Sequence, residues 1–172
     1  MRKPVLAVAA CAVTAFVGCS KSATTGPGNS QNCTVTLSGA VTGSYTCQST
    51  GTGWNANANS GGFSFFIAQA GTTPGIAASI GWTGEPTAGV PYTESSAGAS
   101  GGVSVTTGSG VSAQLWAALV ANASGSYTLG YTSVRNAVTA GNGKAYTADG
   151  TFDATLQPVG AQTDTVTLHV TF

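Results

Sequence analysis

Glu85 and Glu94 flank the Pro-containing loop EPTAGVPYTE. They are the one carboxylate pair placed like the acid and the nucleophile or base of a glycosidase. Nothing in the sequence fixes their separation, and two solvated loop carboxylates are the plainer reading. Asp149 and Asp153 alternate with Thr151 in DGTFD, an outline that faintly resembles a calcium loop, but calcium asks for six or more oxygens. His169 is the only histidine, and no Cys or Ser suggests itself as its partner, so no nucleophilic triad can be built. Trp54 lies in GTGWNANANSGG and Trp116 in VSAQLWAALV. A tryptophan open to solvent beside Asn and Gln can stack on a sugar ring while the amides bond its hydroxyls. Trp54 and Trp116 are therefore the candidate ligand-binding residues, against the plainer reading that Trp116 covers a sheet face and Trp54 plugs one end of the fold.

The inventory is thin. The chain has five basic and five acidic residues in 172, and enzyme sites need titratable groups gathered in shifted environments. We expect a non-enzymatic protein with no catalytic residues, no metal and no cofactor. A net charge near zero also argues against a nucleic-acid partner, since phosphate binding needs clustered Lys and Arg.

The first eighteen residues read as a targeting segment. Arg2 and Lys3 form a basic start, and Val5 to Val17 is uncharged and mostly apolar, too short at ~13 residues to span a bilayer as a helix. It ends Phe16-Val17-Gly18-Cys19. That ending resembles the lipobox of bacterial lipoproteins, with Phe16 where Leu is usual. The resemblance implies that the Cys19 thiol takes a diacylglyceryl group, that cleavage falls before Cys19 and that the new amine is acylated, palmitate being one such chain. Ser20 after the cysteine implies export to the outer membrane. Val8-Ala9-Ala10-Cys11 also fits the pattern, but cleavage there would leave too short an apolar region. Residues 20–31, SKSATTGPGNSQ, hold no large apolar side chain and read as a flexible tether.

Cys33 and Cys47 remain, in a compartment that permits disulfides. They bracket CTVTLSGAVTGSYTC. Folded about Ala40, this hairpin sets Val35 opposite Tyr45 and Cys33 opposite Cys47, within disulfide reach. The spacing is not C-x-x-C and no His lies nearby, which disfavours a redox or metal pair.

From residue 32 on, apolar and polar side chains alternate in short runs divided by Gly, Pro, Asn and Ser. Besides the hairpin, the expected strands are 62–70, 76–82, 103–107, 111–120, 126–134, 146–157 and 164–172. Residues 148, 150, 152, 154 and 156, residues 166, 168, 170 and 172, and residues 76, 78, 80 and 82 should share one core. In 111–120 the alternation puts Val111, Ala113, Leu115, Ala117 and Leu119 inward and Trp116 outward. The fold class is all-β: an antiparallel sandwich of about eight strands, with a small barrel as the alternative. Three segments result: a lipoprotein signal peptide at 1–18, lipidated Cys19 with the tether at 19–31, and a β-sandwich domain at 32–172, similar in tone to β-rich bacterial surface lipoproteins. The expected protein is held in the cell envelope by its lipid, at the outer membrane, with its domain in the periplasm or on the surface and a structural or binding role. Its expected partners are the membrane, through the lipid, and a glycan or envelope protein. A carbohydrate-binding module and a small outer-membrane barrel are the alternatives.

Overall fold

The computed structural model describes residues 33–47, 49–119 and 124–172. The targeting segment, Cys19 and the tether lie outside them. The described residues form eleven strands: β1 (Thr34–Gly39), β2 (Gly43–Thr46), β3 (Ser49–Asn55), β4 (Ser60–Ile67), β5 (Gly75–Thr83), β6 (Pro91–Thr93), β7 (Ser100–Thr107), β8 (Gln114–Ala118), β9 (Ser126–Ala140), β10 (Gly143–Val159) and β11 (Val166–Thr171). A 3-10 turn, Gly110–Ser112, precedes β8.

One layer runs β2-β1-β11-β10-β9-β6 and the other β3-β4-β5-β7-β8, with antiparallel pairing throughout. β10 belongs to both. Its first residues, Gly143 to Tyr146, pair with β3, and its last, Gln157 to Val159, pair with β8. Between these ends it pairs with β11 on one side, and β9 flanks it on the other. The circuit β10-β3-β4-β5-β7-β8 therefore closes on itself. The expected sandwich and its barrel alternative meet here in one molecule: two layers, one of them closed through a shared strand.

The alternation in the sequence accounts for the core. Ala148, Phe152, Ala154 and Leu156 of β10 and Val166, Leu168 and Val170 of β11 are buried, while Thr151, Asp153, Thr167 and His169 take the other face. Phe63 and Phe65 on β4 meet Phe152 across the layers at ring-centroid distances of 5.9 and 5.8 Å. Each such side chain contributes about 1.5–3 kcal/mol on leaving water. The apolar face is inside and the hydroxyl-rich face outside. A transmembrane barrel needs an outward apolar band, so this distribution speaks against that alternative.

The first hairpin forms as expected. Val35 pairs with Tyr45, and Cys33 and Cys47 are disulfide-bonded with Cα atoms 5.0 Å apart. Gly39 turns the chain at φ +96°, and a Cβ there would collide with the Thr165 carbonyl, so the turn admits glycine alone.

Three expectations are corrected. The stretch 51–62, GTGWNANANSGG, expected as a loop around Trp54, is instead the end of β3, a turn and the start of β4. Residues 91–93 form the short β6, which was not expected. The strand expected over 111–120 is confined to 114–118, because Gly110 to Ser112 make the 3-10 turn and Leu119 leaves the strand at φ +60°.

Candidate functional site

Parity along β3 fixes where Trp54 points. Trp54 shares a face with Thr52, which is buried, so it points inward at the end of the layer. It pairs with Gly61, and Gly61 with Trp82. Gly61 is required there: a Cβ would run into the Trp82 indole. Trp82 is 3% exposed and lies against Tyr92 with centroids 4.2 Å apart. Tyr92 in turn packs on Tyr131, and the Tyr131 hydroxyl lies 3.3 Å from Thr52 Oγ1. Burial pushes the Tyr131 phenol well above its usual range.

A polar cluster closes this pole. Lys144, opposite Trp54 in register, sets its ammonium 4.9 Å from the Trp54 ring centroid, a cation–π contact. The same ammonium is 2.6 Å from Glu85 Oε1, and the Tyr146 hydroxyl donates to Glu85 Oε2 at 2.9 Å. The bonds from Lys144 and Tyr146 hold the Glu85 carboxyl below its ordinary range. Burial, and then the bond to Glu85, push the Tyr146 phenol up to about 12. The Tyr92 hydroxyl donates to the Glu85 carbonyl at 3.1 Å and accepts from the Thr87 backbone N–H at 2.8 Å. The loop from Glu85 to Val90 is thus pinned over the aromatic cluster. Trp54 was legible in the sequence. Lys144, Tyr146 and Tyr92 were not: the register of β10 against β3 brings Lys144 to Trp54, and the loop after β5 brings Glu85 to all three.

Trp116 stands at the other pole. It pairs with Val105, Val105 with Ile76 and Ile76 with Ile67, and Ile67 is about 20 Å from Gly61 along β4 at ~3.3 Å per residue. Trp116 is 3% exposed and its indole N–H donates to the Asp164 carbonyl at 2.9 Å. The expectation that Trp116 faces outward is therefore overturned: Trp116 is core, whereas Leu119, expected inside, is 41% exposed. Trp54 and Trp116 are at opposite ends, so they do not form one glycan-binding surface. What does open at this pole is a pair of concavities of about 520 and 320 Å³. They share Gln114, Ala161 and Gln162, with Thr163, Asp164 and the edge of Trp116 lining the smaller one.

The other carboxylates have partners of their own. Glu94 Oε2 accepts from the Tyr127 N–H at 3.2 Å, whereas Glu85 is held by Lys144 and Tyr146, so the two carboxylates are engaged by different groups. Asp149 bonds Arg135 at 3.0 Å. Asp153 lies 2.6 Å from His169 Nδ1, directly opposite it in register on the exposed face. No group of three or more potential metal ligands occurs among the described residues. No family model, curated protein or solved structure matches the chain.

Proposed function

We propose that this chain is a lipid-anchored protein of the bacterial cell envelope whose β-sandwich is displayed for a structural or binding role. The observation that carries the reading is the Cys33–Cys47 disulfide, 5.0 Å between Cα atoms and set at the first strand of the domain. A disulfide built into the core of a small domain belongs to an oxidising compartment. A chain that begins with a basic, then apolar segment ending in Gly18-Cys19 is one that is sent there. Acylated Cys19 is the anchor, residues 20–31 are the spacer, and Ser20 directs the protein to the outer membrane. One acyl chain binds only marginally, while further chains add about 0.8 kcal/mol per buried methylene, which makes release negligible. The outward faces carry threonine, serine and paired charges, as suits a domain held in water by a lipid at its N-terminal end. The partner is a glycan or another envelope protein.

The test is Cys19→Ser with radiolabelled palmitate and membrane fractionation. Loss of label and release of the protein from the membrane fraction are expected. Undiminished label or unchanged retention overturns the reading.

A further inference from the structure

We propose that the groove between the start of β8 and the β10–β11 loop binds a neutral saccharide. The proposal rests on the binding role assigned above and names its ligand class and its place. The two concavities, about 520 and 320 Å³, form one continuous groove through their shared residues and lie within the ~300–1,000 Å³ usual for ligand sites. Its chemistry is selective. Gln114 and Gln162 each offer an amide donor and an amide acceptor, and neither side-chain amide bonds another side chain among the described residues. Ser112 and Thr163 donate their hydroxyl hydrogens to the Ser109 carbonyl and to Asp164 Oδ1, so with Asp164 they add acceptors to the groove.

No basic side chain lines the groove, so an anion would meet Asp164 without compensation. One carboxylate is too few for a calcium ion. Mixed donors and acceptors without net positive charge match a ligand whose hydroxyls are themselves donors and acceptors. The groove is also held in shape. The Trp116 indole N–H ties its floor to the Asp164 carbonyl, and the Ala40 N–H bonds the Thr165 carbonyl at 3.0 Å, so little ordering is needed on binding. By contrast, the concavity over Gly51, Gly53 and Gly62, about 350 Å³, is a flat gap left by missing side chains and offers few groups that would choose a ligand.

The experiment is calorimetric titration of the full chain in detergent micelles with cellotetraose, chitotetraose and maltotetraose. Saturable binding of at least one is expected. Gln114→Ala and Gln162→Ala should each weaken it about fivefold to tenfold, the loss of one or two hydrogen bonds, with the thermal midpoint unchanged. Lys144→Ala, at the far pole, should leave affinity unchanged. The proposal is overturned if none of the three sugars binds saturably, or if binding survives both glutamine variants. Neither result touches the lipid label at Cys19, so failure of the groove and failure of the anchor are separately visible.

Discussion

The Glu85 pole and the Gln114 pole are built from the same ingredients, tryptophan and a few polar side chains, and use them in opposite ways. At the Glu85 pole the charged groups satisfy one another: Lys144 lies on Trp54 and bonds Glu85, Tyr146 bonds the same carboxylate, and Tyr92 pins the loop above. At the Gln114 pole the tryptophan is sunk into the core, its one polar atom is spent on a loop carbonyl, and the amides above it face solvent. The first arrangement is a closure and the second leaves an opening. A tryptophan among polar neighbours in sequence is therefore ambiguous between a plug and a floor, and only the pairing of neighbouring strands decides.

The largest expected effects test whether one tryptophan at each pole, Trp82 and Trp116, is core. Trp82→Ala and Trp116→Ala should each lower unfolding stability by about 3–5 kcal/mol in urea denaturation. A cost under about 1 kcal/mol at Trp116 would return that indole to the surface and undo the contrast. Next, replacing Cys33 and Cys47 together with alanine should cost about 3 kcal/mol, the entropy of a 15-residue loop, and reducing agent should then have no further effect on the midpoint. Gly61→Ala should cost about 1–3 kcal/mol, the usual range for overpacking, because the added methyl meets the Trp82 indole. A neutral result there would show that the aromatic pole is looser than described.

The smallest effect concerns the Glu85 cluster and is read through pH. Glu85 titrates below its ordinary value of 4.5, so its contribution is fully present above that value and is lost as pH falls through the lower folded value. Tyr146 titrates at about 12 against an ordinary 10. Its contribution is complete below 10 and is lost as pH rises through 12. The thermal midpoints of wild type and Glu85→Gln should thus differ at neutral pH and converge in acid. A difference that persists unchanged to the acid limit would remove the carboxylate from the closure.

Much of the fold was legible because alternation is a direct imprint of a half-buried strand. The 148-to-156 set and the 166-to-170 set are where period two puts them, and the Cys33–Cys47 pairing followed from symmetry about Ala40. β3 was hidden because Gly51, Gly53 and Asn55 leave its outer side without bulk and its inner side carries only Thr50, Thr52 and Trp54, a pattern that reads as loop. β6 has three residues, too few for any period. At β8 the alternation misled. It was counted across a 3-10 turn at one end and past Leu119 at the other, and Ala117 and Ala118 are both buried although they are adjacent, because β7 and the end of β10 flank the strand on its two sides. Of the sites, the disulfide could be derived locally. The Glu85–Lys144–Tyr146 contact spans some sixty residues and has no local signature.

β10 joins both layers, and its position in the chain sets an order of events. It pairs with β3, β8, β9 and β11, and its residues 143–159 come after most of the sequence has been made. Until they arrive, β3 and β8 have bare edges and neither layer is complete. Contacts this distant in sequence form slowly. A polypeptide whose layer-joining strand comes this late completes neither layer until nearly all of it is available, so truncation before residue 143 removes the closure of both.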